Sequence, residues 1–189
     1  MFNLYYHPIY TYGIDEKSNF PRDRYQLLKQ ELQMHLSKHS IEIKKSPIVD
    51  ESIINKIHDP NYVSRFLNQK LDSKEIRRIG LKPWKKEIIE RTLRITGGSI
   101  AAMQHAIMTG GISGNMAGGT HHAHKDYGSG FCIFNDIAIC AKIALEKPNI
   151  KNILIIDLDV HQGDGTAEIL KNNKKVFTFS MHCSSNFPF

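Results

Sequence analysis

The run ILIIDLD at residues 153–159 constrains the fold more than any other part of the chain, because four apolar residues precede its first aspartate. An apolar run without polar alternation is typical of a strand covered on both faces, as in a parallel sheet. VFTFSM at residues 176–181 predicts a second strand of this kind, after a short predicted helix at residues 166–171. The pattern predicts an α/β fold of three layers, with helices on both sides of a parallel sheet.

The rest of the chain continues this alternation of strands and helices. FNLYY at residues 2–6 predicts a first strand, and apolar residues at helical spacing predict a helix from Pro21 to His39. Two further apolar stripes predict helices at residues 84–108 and 135–146. Since no internal repeat or linker interrupts this pattern, we expect a single domain over residues 1–189.

Glycine is concentrated in one region of the chain. Eleven of the thirteen glycines lie between Gly97 and Gly165, which indicates that close backbone approaches and the chemistry are located there. Two of them, Gly97 and Gly98, fall inside the predicted helix at residues 84–108. Glycine lowers helix propensity, so this pair is the predicted weak point of that helix.

The net charge of +6 does not indicate a nucleic-acid partner. Residues 1–96 hold 18 basic and 12 acidic side chains, whereas residues 97–189 hold 7 of each. The basic residues of the first half are interleaved with acidic ones, and no arginine stripe alternates with stacking aromatic residues. We therefore interpret the basic excess as a solvated surface.

Cysteine content and hydropathy predict a cytoplasmic protein without a membrane partner. The three cysteines form no CxxC pair, which argues against a disulfide scaffold or a zinc knuckle and favours a reducing compartment. No apolar run is long enough to span a membrane, and the N-terminal residues lack the basic and apolar regions of a secretory leader.

Three polar residues stand at alternate positions where the ILIIDLD strand ends: Asp157, Asp159 and His161. Side chains at positions i and i+2 of a strand share a face, so a strand continued this far would project Asp159 and His161 together. A carboxylate oxygen and an imidazole nitrogen suit a divalent metal, and zinc is the usual choice. Asp157, set more deeply, would need a positive or hydrogen-bonding partner.

Adjacent histidines, His121 and His122, lie in the glycine-rich segment GGTHHAHKDYGSGF. Such a pair suits proton transfer beside a metal-bound water, provided that an acceptor on one ring nitrogen fixes each tautomer. Asp157 and Asp164 are two such acceptors. Two histidines paired with two aspartates, next to an Asp/His metal pair, predict a hydrolytic site at which water attacks a polarised carbonyl.

These motifs carry a family resemblance. The segments GGTHHAHKDYGSGFCIFNDIA, ILIIDLDVHQGDGTAEIL and VFTFSMHCSSNFPF together resemble the zinc-dependent histone deacetylase family, in particular its bacterial branch. They occur in the order of the family and cover residues 118–189, and weaker similarity in IHDPNYVSRFL and EIRRIGL extends it toward the N-terminus. The resemblance implies the arginase/deacetylase fold, an eight-stranded parallel sheet.

In that fold the last two strands of the chain lie between the third and fourth strands. The family also has a third zinc ligand, an aspartate, and a tyrosine that donates a hydrogen bond to the oxyanion. We expect all of these after Phe189, so the resemblance implies that residues 1–189 are an incomplete deacetylase domain. Its sheet is then expected to be split into an N-terminal group and a pair formed by the strands at residues 153–159 and 176–181.

The resemblance also implies roles for the residues of the predicted site. Asp159 and His161 would be zinc ligands, with His122 as the general base on the zinc-bound water and His121 as its electrostatic partner. The acceptors that hold the two rings would be Asp157 for His121 and Asp164 for His122.

Substrate and cation contacts follow from the same resemblance. Gly130 would offer its carbonyl to the acyl-amide N–H, while Phe131 and Phe187 would wall a narrow acyl-lysine tunnel. A monovalent-cation site, usually filled by potassium, would be formed by the backbone around Asp157, Asp159 and His161 together with Ser180 and Met181.

The implied reaction is zinc-dependent hydrolysis of an N-acyl amide, with an acyl-lysine protein or an acylated small molecule such as an acetylpolyamine as substrate. We expect the reaction to be impaired in the 189-residue chain. One alternative is an inactive binding module that keeps the acyl-lysine pocket. A second is a phosphatase of the haloacid-dehalogenase type, which also has two aspartates, here Asp157 and Asp159, after an apolar strand. The sequence predicts no oligomeric state.

Overall fold

The computed structural model describes residues 2–35 and 41–189, and it confirms an α/β fold with parallel sheets. The strands are β1 (Phe2–Tyr6), β2 (Ile41–Lys45), β3 (Ser113–Asn115), β4 (Ile153–Asp157) and β5 (Val176–Ser180). The helices are α1 (Ile9–Tyr12), α2 (Arg24–His35), α3 (Glu51–Ile54), α4 (Pro60–Leu67), α5 (Ser73–Ile79), α6 (Glu87–Thr109), α7 (Asp136–Ala144) and α8 (Asp164–Leu170).

The predicted elements are present with shifted ends. The helix predicted from Pro21 begins at Arg24, and the predicted part of it at residues 36–39 lies outside the described residues. The first predicted strand is confirmed as β1. No helix of the described residues has both the length and the hydropathy needed to cross a membrane. The single-domain organisation stays a prediction.

The strands form two separate parallel sheets, as predicted. The first sheet has the order β2-β1-β3, and the second consists of β4 and β5. Phe2 is the register partner of Ile41 in the first sheet, and Asp157 is the partner of Ser180 in the second. A cleft of about 990 Å³, lined by residues of β3, α7 and β4, lies between the two sheets.

The main hydrophobic core lies around α4, α6 and α7. Its largest residues interlock as aromatic pairs, since the ring of Phe66 is 5.1 Å from that of Phe134 and 6.3 Å from that of Trp84, nearly perpendicular to both. Edge-to-face pairs of this kind stabilise a core beyond their area of burial. Tyr62 joins this group, and its hydroxyl donates a hydrogen bond to the carbonyl of Ile133 at 2.9 Å.

Helix α6 runs without interruption through the glycine pair that was the predicted weak point. The carbonyl of Pro47 passes so close to Gly97 that a Cβ there would clash with it. At Gly98 a Cβ would meet the hydroxyl of Tyr10 at 2.7 Å and that of Ser46 at 2.8 Å. The glycines therefore allow close packing of another segment on the helix, and this packing offsets their low helix propensity.

The prediction that β4 and β5 are covered on both faces is wrong. Ile153, Ile155 and Val176 pack against α7 and α8, because alternate strand residues share one face. The opposite face is largely exposed. Its apolar side chains are 45–68% exposed: Leu154, Ile156, Leu158, Phe177, Phe179 and Met181.

His58 is buried in the core with 1% exposure. Its Nε2 accepts the backbone N–H of Asn135 at 2.9 Å, so the proton of a neutral ring must lie on Nδ1, which is 3.2 Å from the Lys125 carbonyl oxygen. Burial lowers the pKa of His58 to about 4, and hydrogen bonds to the Lys125 and His124 backbone offset this only in part.

This shift predicts a pH dependence of stability. An unfolded histidine has a pKa of about 6.5, so below that pH the unfolded state binds a proton that folded His58 does not bind until about pH 4. The free energy of unfolding should therefore fall as the pH falls through this window, by up to about 1.4 kcal/mol per pH unit. Urea unfolding at pH 7, 6 and 5 measures the slope.

His58→Gln removes the titrating ring and should flatten this slope. His35→Gln, which replaces an exposed histidine at the end of α2, should keep the wild-type slope. An unchanged slope in His58→Gln would show that another group causes the pH dependence.

The exposed face of β4 and β5 predicts self-association, because contiguous apolar surface of this kind favours burial against a second surface. Phe177→Lys combined with Phe179→Lys should lower the association constant at least tenfold in sedimentation experiments over a concentration series. The matched control pairs Met108→Lys with Ile112→Lys, both 77% exposed apolar residues elsewhere. An equal effect of both pairs would contradict a role of this face.

Candidate active site

A buried carboxylate, Asp136 at the start of α7, holds the loop that carries the paired histidines. Its Oδ1 accepts hydrogen bonds from the backbone N–H and the hydroxyl of Thr120, at 2.8 and 2.6 Å. Its Oδ2 accepts the N–H of Gly119 at 3.2 Å and the hydroxyl of Ser99. Several donors thus compensate the burial of the charge and fix the loop just before His121.

Asn135 caps α7 and ties the same loop to α8. Its side-chain oxygen accepts the N–H of Ala138 at 2.9 Å, as expected of an N-cap residue. Its amide nitrogen donates to the Ala123 carbonyl at 3.1 Å and to the Thr166 hydroxyl at 3.0 Å. Sequence reasoning missed Asn135 and Asp136, although an Asn-Asp pair before a helical stripe is itself a cap signal.

The structure brings the two histidines together with two aspartates. The rings of His121 and His122 are 4.1 Å apart, and both are buried. His121 Nδ1 lies 2.6 Å from Asp157 Oδ2, and His122 Nδ1 lies 2.7 Å from Asp164 Oδ1. An ionised carboxylate only accepts, so each Nδ1 carries the proton and each Nε2 is free to accept another.

Asp159 and His161 lie beyond the end of β4, not on it. The strand ends at Asp157, so the shared strand face invoked for Asp159 and His161 is wrong. Two local hydrogen bonds replace it: Asp159 N–H donates to Asp157 Oδ1 at 3.0 Å, and His161 N–H donates to Asp159 Oδ1 at 2.8 Å. Aspartate side chains favour such turns, and these bring His161 Nδ1 within 2.9 Å of Asp159 Oδ1.

The oxygen of Asp159 and the nitrogen of His161 are ligand atoms that suit zinc, but two protein ligands are fewer than a catalytic zinc ion usually has. Two ligand atoms at about 2.0–2.1 Å in tetrahedral geometry lie about 3.4 Å apart, close to the 2.9 Å between Asp159 Oδ1 and His161 Nδ1. Catalytic zinc usually has three protein ligands. Within residues 2–35 and 41–189 no group of three or more His, Cys, Asp or Glu side chains is arranged to hold a metal ion.

Hydrogen bonds keep the carboxylates of Asp159 and Asp164 ionised. Burial alone would raise the pKa of Asp159, but the hydrogen bonds from the backbone and ring of His161 outweigh it and lower the pKa. Burial would likewise raise the pKa of Asp164, and hydrogen bonds with His122 and His124 outweigh it. Both side chains therefore stay negative at neutral pH.

His124 contacts the same carboxylate as His122. Its Nε2 lies 3.3 Å from Asp164 Oδ2, and its ring stacks on Tyr127 at 4.4 Å. Asp164 is thus held on both oxygens, which restrains the acceptor that fixes His122. In the sequence, the presence of His122 and His124 two residues apart in one loop could have indicated this shared contact.

A cavity of about 520 Å³ opens onto the four central residues, His121, His122, Asp159 and His161. The predicted substrate-binding residues Gly130, Phe131 and Phe187 also line it. The ring of Phe187 is 4.8 Å from that of His122 and nearly perpendicular to it, whereas Phe131 contacts Phe20 at 5.3 Å. An aromatic lining of this kind suits an alkyl chain.

The residues of the predicted monovalent-cation site lie at the end of the second sheet. Ser180 is the register partner of Asp157, and the N–H of Met181 donates to the Asp157 carbonyl at 3.0 Å. The Ser180 hydroxyl is 2.9 Å from His182 Nδ1. The structure thus places Ser180 and Met181 beside Asp157, and the cation itself stays a prediction.

Gly163, which sequence reasoning did not single out, is required by the His121–Asp157 pair. A Cβ at Gly163 would clash with Asp157 Oδ2 and lie 3.3 Å from His121 Nδ1. The glycine thus lets the chain pass directly behind the hydrogen bond that holds His121. In the sequence, a glycine two residues after His161 could have indicated this close approach.

Comparisons with known proteins show the family of the chain. A model of the histone deacetylase domain matches residues 18–189. An uncharacterised protein of Picosynechococcus sp. is 43% identical over 187 residues, which cover 99% of this chain and 62% of that protein.

Two further relatives carry functional names. The acetoin utilization protein AcuC of Staphylococcus aureus is 38% identical over 106 residues, covering 55% of this chain and 27% of the relative. A polyamine deacetylase of Mus musculus is 29% identical over 140 residues, covering 70% of this chain and 21% of the relative. The chain thus spans less than two thirds of each relative.

Gly163→Ala should destabilise the protein by about 1–3 kcal/mol, because the added methyl group displaces Asp157 from His121. Urea unfolding measures the loss, and the Nδ1 proton resonance of His121 reports the hydrogen bond directly. Gly111→Ala is the control, since a Cβ there meets only the Thr109 hydroxyl at 3.3 Å. Equal stability of the two variants would contradict the close approach at Gly163.

Proposed function

Because the chain belongs to the histone deacetylase family, we propose that it provides the histidine pair and two metal ligands of a site that hydrolyses an N-acyl amide. The substrate class is an acyl-lysine in a protein or an acylated small molecule such as an acetylpolyamine. The observation that carries the proposal is the arrangement of two hydrogen-bonded His–Asp pairs, at 2.6 and 2.7 Å, beside Asp159 and His161.

Zinc supplies Lewis-acid polarisation of a carbonyl and of water, and Asp159 and His161 would hold it. His122 Nε2 is free, so it can take a proton from the attacking water and later give it to the leaving amine. Asp164 keeps the proton of His122 on Nδ1 and stabilises the positive ring that forms. The His121–Asp157 pair provides a second, similarly held imidazole next to it.

The cavity geometry supports an acyl-amine substrate. Phe131 and Phe187 can flank the methylene chain, and the Gly130 carbonyl can accept the amide N–H. We include the monovalent cation in this proposal, held by the backbone around Asp157, Asp159 and His161 together with Ser180 and Met181.

The contacts of Asp157 weigh against the phosphatase alternative. A nucleophilic aspartate needs a free oxygen that faces the substrate. Asp157 accepts from His121 through Oδ2 and from the Asp159 N–H through Oδ1. The inactive binding module keeps one observation in its favour, because the described residues supply two metal ligands where catalytic zinc usually has three.

Metal binding and turnover test the proposal separately. We expect zinc added to the metal-stripped chain to bind in calorimetry, and Asp159→Asn or His161→Gln to weaken binding at least tenfold. His122→Gln should leave zinc binding intact and lower the hydrolysis of an acetyl-lysine peptide or N-acetylputrescine by about 10²- to 10⁴-fold. Removing zinc with a chelator should abolish hydrolysis.

His35→Gln serves as the control for both measurements, since His35 is exposed on α2. Binding of acetyl-lysine without any zinc-dependent hydrolysis would favour the binding module. Magnesium-dependent hydrolysis of p-nitrophenyl phosphate in place of amide hydrolysis would overturn the proposal.

A further inference from the structure

Arg91 of α6 is a buried cation without an anionic partner. Arg91 is only 4% exposed. Its Nε–H donates to the Tyr10 carbonyl at 3.0 Å and Nη2 donates to the Tyr25 hydroxyl at 3.3 Å, while Nη1 forms no hydrogen bond within the described residues. No carboxylate in residues 2–35 and 41–189 pairs with it. Buried charges are normally paired, so this arrangement is unusual.

The guanidinium remains charged despite its burial. Burial lowers the pKa of Arg91, and the charge of Arg24 acts in the same direction, while the nearby Tyr25 and Tyr10 oppose it. Arginine nevertheless stays protonated in proteins, because its ordinary pKa lies far above neutral pH. A positive charge without an anionic partner in residues 2–35 and 41–189 therefore lies inside the protein.

A second unpaired arginine lies next to it. Arg24 donates to the same Tyr25 hydroxyl at 3.0 Å, and its guanidinium stacks over the ring of Phe20 at 4.8 Å. The guanidinium of Arg91 is 5.3 Å from the same Phe20 ring. The Tyr25 hydroxyl thus accepts hydrogen bonds from two positively charged guanidinium groups. An anion bound between these groups would remove their mutual repulsion.

These two arginines line the cavity that contains the paired histidines. Arg24, Arg78 and Arg91 all contribute to its wall, and Asp159 is the one carboxylate that lines it within the described residues. Asp159 is already engaged by His161. The cavity wall therefore carries more positive than negative side chains, and the aromatic rings of Phe20 and Tyr25 lie beside Arg24 and Arg91.

We propose that Arg24 and Arg91 bind the terminal carboxylate of the acyl group, so that this site takes N-acyl amides of dicarboxylic acids, such as glutaryl or succinyl amides. The inference rests on the proposed function, which places the acyl group in this cavity. Planar guanidinium groups hold carboxylates with paired hydrogen bonds, and the aromatic side of the cavity suits the methylene groups between carboxylate and amide.

A purely structural role for Arg91 accounts for less of the geometry. The hydrogen bond from Nε to the Tyr10 carbonyl ties α6 to α1, and a single neutral donor would provide it. It explains neither the free Nη1 nor the second arginine on the same phenol. A carboxylate ligand explains both observations.

The test compares ligands that differ only in charge at the acyl terminus. Calorimetry with the zinc-loaded 189-residue chain would use Nε-glutaryl-lysine, its neutral isostere Nε-(4-carbamoylbutanoyl)-lysine and Nε-acetyl-lysine. We expect the glutaryl compound to bind at least tenfold more tightly than the isostere. Arg91→Gln should abolish this preference and leave acetyl-lysine binding unchanged.

Two further variants keep the test decisive. Arg24→Gln changes an exposed residue, so it should fold even if Arg91→Gln does not, and it should reduce the preference severalfold. Arg77→Gln removes an exposed positive charge outside the cavity wall and should keep the full preference.

The outcomes separate this inference from the proposed function. Equal binding of the glutaryl compound and its neutral isostere, with acetyl-lysine still bound, would overturn the carboxylate site alone. A preference that survives in both Arg24→Gln and Arg91→Gln would also overturn it. Failure of all three lysine derivatives to bind would overturn the proposed function and this inference with it.

Discussion

The hydrogen bonds from His121 to Asp157 and from His122 to Asp164 hold together parts of the chain that no shared sheet connects. The histidines belong to the loop before α7, whereas the aspartates end β4 and begin α8. Because the second sheet is separate from the first, these bonds and the packing of α7 on α8 fix its position. The backbone reinforces them, since Thr166 N–H donates to the His121 carbonyl at 3.0 Å. Structure and chemistry therefore depend on the same charge-assisted contacts.

Buried charge in this protein follows two different patterns. Asp136 is buried and satisfied by four donors, so its charge rigidifies the histidine loop. Arg91 is buried and has two neutral acceptors, so no carboxylate of the described residues pairs with its charge. A satisfied buried ion serves the fold, whereas an unsatisfied one next to a cavity favours an ionic ligand. This contrast separates Asp136, which supports the fold, from Arg91, which faces the ligand in the proposed carboxylate site.

Most of the fold class could be predicted from local patterns, and the site only in part. Apolar runs and helical stripes located the principal strands and helices to within a few residues, because backbone periodicity is a local property. The coverage of β4 and the role of the Gly97–Gly98 pair were predicted wrongly, since both depend on which distant segment packs there. The contacts that Asn135, Asp136 and Gly163 make with the histidine loop were missed for the same reason, because that loop lies in another part of the sequence.

The sequence by itself determined the family, the alternation of strands and helices, and the residue types that can hold a metal and move a proton. These are properties of spacing and chemistry along one chain. Only the tertiary structure decided that one face of β4 and β5 is exposed, that turns and not a strand bring Asp159 to His161, and that Arg24 shares one phenol with Arg91. Burial and pairing of charges arise from contacts between distant segments, and no local pattern encodes which of those contacts will be missing.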